Sequence, residues 1–371
     1  MVVHFFSLEE SHLFGIIRSF ASLDLSQKFI LCAFGACKFD SLENEKSKIE
    51  ELFRVKGIVN FEFVYDERDF INLLIKEASV TGNICVLHGV FKIYDSVYKI
   101  LMFFLHNKVL SRIINVWWNF RPIEYIGYKK KFYRLIKSYI LSRLKYNVVL
   151  AKEEKKWLEE CYSLNNIFVA PYMGNAGKIE KEGSIFYTFQ SKNIDYDVTV
   201  GRKIILSHNG FVGNNHKMVL DLLKRRFDNV IQEVSLPLCY GPKDYIDEVI
   251  QYGSFLFGHR FTYFTDLKPI EEYIEYIRQY DIYITAAEFQ SGFGALSLCL
   301  GNGLKVYARG VNYKECLSDG FFINKFEELY TISECDFKMP LNKECIDKNI
   351  FILAEDRYKK RKKNWETLLL K

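Results

Sequence analysis

The chain has 371 residues, of which 49% are apolar and 26% charged, a balance that excludes a disordered or low-complexity polypeptide. A single core seldom grows beyond about 250 to 300 residues, so two domains are expected. The net charge of +5 is modest and no nucleic-acid module accompanies it, which ranks nucleic-acid binding last.

From the amino terminus, short apolar runs alternate with amphipathic ones. Strands are expected at Val2 to Phe6, Phe29 to Phe34, Val59 to Val64, Ile84 to Leu87, Val148 to Ala151 and Ile167 to Val169. Helices are expected at Leu13 to Phe20, Ser47 to Val55, Phe70 to Ala78 and Glu153 to Cys161. The pattern weakens from Tyr172 to Arg202 and resumes at Lys203. Strands at Ile204, Val230 to Pro237, Phe261 to Phe264, Ile282 to Thr285 and Lys305 to Ala308 then alternate with helices at Asp244 to Tyr252, Ile270 to Arg278 and up to Leu300. Such alternation implies parallel sheets with helices on both faces. The expected assembly is two Rossmann-like doubly wound domains facing across a cleft. The first spans 1–175 and binds acceptor, and the second spans 176–350 and binds donor. A basic helix at 351–371 follows, with packing back on the first domain as one option.

Basic residues cluster at Arg121 to Lys145 and in the tail from Arg357 to Lys363. Apolar and aromatic side chains are interleaved with them, which suits an anionic membrane surface, although solvated helix faces would read the same way. The most apolar stretch, Ile100 to Leu105, is far shorter than the ~20 residues of a spanning helix, and no basic n-region precedes an apolar core at the start. The nine cysteines form no Cys-x-x-Cys pair and read as reduced core residues. A cytoplasmic protein, peripheral on a membrane if bound to one, is expected.

Two loops carry the candidate chemistry. Ser207-His208-Asn209-Gly210-Phe211-Val212-Gly213-Asn214-Asn215-His216 follows the Ile204 strand and leads into a helix that Asn214 or Asn215 can cap. Ser291-Gly292-Phe293-Gly294 occupies the same position in a later strand–helix unit. Glycine permits close approach and helix starts favour anions, so the pair fits the two phosphates of a nucleotide sugar; a tight turn with a capping asparagine is the plainer alternative. Ser7 to His12 replaces the Gly-x-Gly-x-x-Gly of a nicotinamide-binding fold. No Asp-x-Asp stands in a strand-end loop, so neither a metal nor another cofactor is expected.

Ile204 to His216, Leu238 to Gly253 with its Tyr-Gly-Pro-x-x-Tyr-Ile-x-Glu-Val core, and Asp281 to Val306 with Gly-Phe-Gly-x-Leu-x-Leu together resemble the bacterial 4-acetamido-4,6-dideoxygalactose (Fuc4NAc) transferase family. His4, His12, His88-Gly89-x-Phe91 and Val148 to Ala151 follow the family order more loosely. The resemblance implies a two-domain GT-B glycosyltransferase. It implies transfer of a deoxy amino sugar from a dTDP donor to an undecaprenyl-pyrophosphate-linked saccharide at the inner face of the bacterial inner membrane, in common-antigen or O-antigen synthesis. A GT-B-shaped nucleotide-sugar epimerase and a non-catalytic membrane-associated sugar-nucleotide-binding protein are the alternatives.

On this reading the first loop binds the donor through Ser207, Asn209, Gly210, Asn214, Asn215 and His216, and the second through Ser291, Gly292 and Gly294; Tyr240 joins them. Where the large GT-B family with Glu-x7-Glu has its glutamates, this chain has Ser291 and Cys299, and nearby Glu288 is a substitute for the ribose contact. His88, at a strand's carboxyl end, is the expected catalytic base, with a structural histidine as the plainer reading and His12 and Glu124 in reserve. His12, Trp117, Trp118 and Arg121 are expected on the acceptor side, where aromatic faces stack on sugars and arginine pairs with pyrophosphate.

Overall fold

The computed structural model describes residues 1–7, 13–32, 46–47, 49–51, 53–55, 57–89, 105–118, 128–173, 201–353 and 357–370. The chain divides into two compact units, one of Met1–Asn175 with Lys360–Lys371 and one of Ala176–Lys359.

Unit 1 contains β1 (Val2–Ser7), α1 (Leu13–Ala21), β2 (Gln27–Cys32), β3 (Phe61–Val64), α2 (Glu67–Ser79), β4 (Ile84–His88), α3 (Asn107–Leu110), β5 (Ile113–Val116), α4 (Tyr128–Arg143), β6 (Tyr146–Val149), α5 (Lys152–Tyr162) and β7 (Ile167–Val169). The strands form one sheet in the order β3-β2-β1-β4-β5-β6-β7, and every pairing is parallel. A parallel sheet covered on both faces needs continuously apolar strands, and Phe29-Ile30-Leu31-Cys32 is buried at all four positions. The sixth strand begins and ends two residues earlier than the sequence suggested. Ala151 is instead the residue before α5, where the Glu154 carboxylate accepts from the amides of Leu150 and Ala151 at 3.1 Å each.

Unit 2 contains β8 (Arg202–Leu206), α6 (His216–Phe227), β9 (Ile231–Pro237), α7 (Lys243–Phe257), β10 (Phe261–Phe264), α8 (Ile270–Arg278), β11 (Ile282–Thr285), α9 (Phe293–Gly301), β12 (Lys305–Ala308), α10 (Gly310–Asp319), β13 (Asn324–Lys325), α11 (Glu334–Lys338) and α12 (Lys343–Phe351). Its sheet runs β10-β9-β8-β11-β12-β13, again parallel throughout. The chain passes outward from β8 to β9 and β10, then returns to lay β11 on the other side of β8. A doubly wound sheet binds ligands at such a reversal, beyond the carboxyl ends of the two strands. In unit 1 the reversal lies between β1 and β4.

The last helix, α13 (Arg357–Leu370), begins in unit 2 and continues in unit 1. In unit 1 the indole N–H of Trp365 donates to the Pro171 carbonyl at 3.1 Å and Arg361 donates to the Tyr172 carbonyl at 2.9 Å. Arg357, expected among solvated or lipid-facing charges, is instead buried in unit 2, where it bonds Ser297 Oγ at 3.0 Å and lies over the Phe293 ring. The basic run in α4 divides, with Arg134 exposed and Lys137 buried. Arg134 donates to the carbonyls of Cys161 and Glu160, Arg143 reaches Leu105 and Asn107, and Lys137 is buried over the Trp117 ring at 4.8 Å. Leu135 and Tyr139 of α4 are exposed. Among the described residues no helix is long and apolar enough to cross a membrane. All eight described cysteines are free.

Candidate functional site

In unit 2 the two glycine loops leave neighbouring strands, β8 and β11, on either side of the reversal. The first begins with Ser207 at φ 63, a left-handed conformation that costs a non-glycine residue energy and is found where function fixes the backbone. Its amide is held by the Ile284 carbonyl at 2.8 Å. Asn209 and Asn214 then brace the loop from inside. The Asn214 amide nitrogen donates to the Asn209 side-chain oxygen at 2.5 Å and to its carbonyl at 3.1 Å, while Asn209 Oδ1 also accepts from the Phe211 amide. Both side chains are buried. Asn215, at φ 55, ties the loop to the next strand by donating to the Ala286 carbonyl at 2.9 Å.

The second loop is locked to the first through His208. Its Nε2 lies 2.6 Å from Asn209 Nδ2 and 3.2 Å from Ser291 Oγ, and its ring covers Gly292, where a Cβ would meet Nδ1 at 2.1 Å. Gly292 is at φ 61, which glycine adopts without strain. Asn312 of α10 grips Ser291 from behind, donating to its carbonyl at 2.6 Å and accepting from its amide at 3.3 Å. Residues 292 and 215 are the N-caps of α9 and α6, and neither helix has a side-chain cap. Helix geometry leaves the amides of Lys217 and Met218, and of Gly294 and Ala295, without intrahelical partners, while the His216 amide faces the Tyr245 hydroxyl. Around Gly294, which is exposed, the space is open.

Several expected donor residues take other parts. The Gly210 amide is engaged by the Tyr240 carbonyl at 2.8 Å, and a Cβ there would lie 2.3 Å from Ile246, so this glycine serves packing rather than an anion. Ser207, Asn209 and Asn214 shape the loop from below its surface. His216 is fully buried beside Tyr245; burial lowers its pKa to about 4, and a contact to the Asn209 carbonyl offsets this only in part, so it brings no positive charge at neutral pH. Glu288 is exposed and paired with Arg309 at 2.7 Å. Cys299 is buried in the core and cannot reach a ribose. Tyr240 is half-buried, its ring edge-on to that of exposed Phe211 at 6.1 Å. Among the described residues no group of three or more His, Cys, Asp or Glu side chains is placed to hold a metal ion.

In unit 1, His88 lies at the carboxyl end of β4 as expected, yet it is fully buried. Its ring stacks on Phe6 at 4.2 Å, with Phe20 at 4.9 Å and Trp365 at 6.1 Å. Nε2 is 3.0 Å from His4 Nδ1, and Nδ1 is 2.8 Å from the Tyr172 hydroxyl. Burial, with His4 adding to it, holds its pKa well below the ordinary value, and burial lowers that of His4 to about 3. A base needs a free lone pair facing the substrate, and His88 has neither; this corrects its assignment as catalytic base. Trp117 packs against the core with its N–H toward Asn147 at 3.4 Å, whereas Trp118 is half-buried at the end of β5. His12, Arg121 and Glu124 lie outside the described residues.

Residues 186–319 match the family described as 4-alpha-L-fucosyltransferase glycosyl transferase group 56. No curated protein matches the chain. Among solved structures, a glycosyltransferase from Rickettsia africae is similar over 100% of this chain and 98% of its own, at 13% identity and TM-score 0.63. HepE from Anabaena, determined with UDP and glucose, is similar over 100% and 99%, at 11% identity and TM-score 0.65. Trehalose-6-phosphate synthase OtsA is similar over 100% and 99%, at 9% identity and TM-score 0.62. The chain is a glycosyltransferase of the GT-B fold.

In this glycosyltransferase the tertiary structure brings Asn215, Ser291, Gly292 and Gly294 together at two helix starts. Sequence reasoning missed His208 and Asn312. His208 lay in plain view at a strand end, as His88 does, but only the fold reveals that it covers Gly292. Asn312 stands 21 residues beyond its partner and carries no local signature.

Proposed function

We propose that this glycosyltransferase moves a deoxy amino sugar of Fuc4NAc type from a dTDP-sugar to a polyprenyl-pyrophosphate-linked oligosaccharide, in assembly of a cell-surface polysaccharide such as O-antigen or common antigen. The work takes place at the inner face of the bacterial inner membrane. One observation carries the donor assignment: two helix starts without side-chain caps, α6 and α9, stand on neighbouring loops that His208 joins. Each such terminus favours an anion by about 0.3 to 1 kcal/mol when exposed and up to ~2 kcal/mol when partly buried. A diphosphate presents two anionic groups to a pair of them. HepE was determined with UDP, which supports a nucleotide-diphosphate donor for the same fold. The deoxy-sugar class is supported by the fucosyltransferase family match and by the three similar segments. Exposed Leu135 and Tyr139 on basic α4 support a membrane-facing side.

In the reaction the acceptor hydroxyl attacks the anomeric carbon, the bond to the donor diphosphate breaks, and the departing charge falls on the amides of Lys217, Met218, Gly294 and Ala295. Trp118 and Arg121 serve the acceptor side, and the burial of His88 leaves His12 and Glu124 as candidates for the base. The test is incubation with dTDP-Fuc4NAc, with and without an undecaprenyl-linked acceptor. Acceptor-dependent release of dTDP is expected. Release without acceptor would point to an epimerase-like enzyme, and binding without release in either case to a non-catalytic protein.

A further inference from the structure

We propose that Gln27, His4, His88 and Tyr172 form a buried chain of hydrogen bonds whose purpose is to aim the indole ring of Trp118, and that His88 is a positioning residue acting through that ring. The direction of every bond is forced. Gln27 Nε2 donates to the Phe20 and Leu23 carbonyls at 2.9 and 3.2 Å, so its oxygen must face His4. His4 Nε2–H donates to that oxygen at 3.0 Å, which leaves only an acceptor at His4 Nδ1 on a neutral ring. His88 Nε2–H therefore donates to His4, and His88 Nδ1 accepts from the Tyr172 hydroxyl. The Tyr172 oxygen in turn accepts from the Trp118 indole N–H at 2.7 Å. Trp118 can only donate, so the order begins at an unambiguous end. Both nitrogens of both imidazoles are used within the chain.

The far end is fixed from two more sides. A Cβ on Gly89, at φ 70, would lie 2.7 Å from the Trp118 ring, so the backbone just past β4 is the surface on which that ring rests. The Tyr172 ring stacks on Trp365 at 5.8 Å with an interplanar angle of 3°. A half-buried indole held at its nitrogen and across its face offers a rigid plane at the carboxyl ends of the strands, and ordering it costs nothing when a ligand arrives. The ligand that fits is a saccharide ring stacking its C–H face on the indole. This rests on the reading that Trp118 serves the acceptor.

Three variants test it: His88→Gln, His88→Phe and Tyr172→Phe. Glutamine can accept from Tyr172 and donate to His4, whereas phenylalanine fills the space and can do neither. His88→Gln is expected to retain turnover within about threefold, and the two phenylalanine variants to raise the acceptor KM tenfold or more with kcat and donor KM little changed. Tyr172→Phe removes a single oxygen and carries the test if His88→Phe does not fold. A hundredfold loss of kcat in folded His88→Gln would overturn the proposal and restore His88 as a base. In 15N spectra the Trp118 indole signal is expected to move in Tyr172→Phe without any acceptor present; an unmoved signal would overturn the aiming. Should it move while the acceptor KM stays put, the assignment of Trp118 to the acceptor falls, while dTDP release still reports whether glycosyl transfer stands.

Discussion

Acidification from pH 7 to pH 5 should weaken unit 1 through its two buried imidazoles. His4 and His88 are neutral in the folded unit because burial penalises the charged form. In the unfolded chain each titrates near 6.5, so below that pH the unfolded state binds protons that the folded state refuses. Stability is therefore full above about pH 6.5 and falls as pH drops. A ring that takes no proton before unfolding loses about 2 kcal/mol between pH 7 and pH 5, or roughly 4 kcal/mol for the pair. Against a typical total of 5 to 15 kcal/mol this is large, and with a urea m-value of about 2 kcal/mol/M it moves the midpoint by about 2 M. All four tryptophans, Trp117, Trp118, Trp157 and Trp365, belong to unit 1, so selectively excited tryptophan fluorescence follows that unit. His88→Gln, which cannot titrate, should show about half the loss. A midpoint that shifts by less than about 0.5 M in the parent protein would refute the reasoning, because it would mean that the rings protonate in place.

The donor loops give three further expectations. Gly292→Ala combines a left-handed backbone, costing about 1 to 2 kcal/mol, with a Cβ 2.1 Å from His208, and should weaken dTDP binding in calorimetry at least tenfold while fluorescence-detected unfolding of unit 1 stays unchanged. Gly294→Ala meets nothing within 4 Å and should leave the melting temperature equal or slightly higher, so a drop in dTDP affinity would come from ligand contact alone; unchanged affinity would place the diphosphate away from α9. Asn312→Ala strips Ser291 of partners on both backbone groups and should cost about 1 to 3 kcal/mol in unit 2, with faster hydrogen exchange at Ser291; exchange as slow as in the parent would argue against this grip.

What the sequence determined by itself is the alternation of strands and helices, since a buried parallel strand and an amphipathic helix each announce themselves by local periodicity. Strands such as Phe261 to Phe264 and Ile282 to Thr285 coincide with those read from the chain, and both glycine loops stand between a strand end and a helix start. Between Ala308 and the basic tail helix the elements were not legible, since the two-residue strand β13 is too short to show a period; in the tail, where a helix was expected, the charges mask how deeply Arg357 and Trp365 are buried. Only the tertiary structure decided what each loop residue does. His88 and His208 look alike in sequence, each following a buried strand, yet one is sealed by Trp365 and Tyr172 while the other clasps Gly292, 84 residues further on. Whether a strand-end side chain meets ligand, water or core depends on which distant segment lies over it, and hydropathy patterns carry no record of that partner.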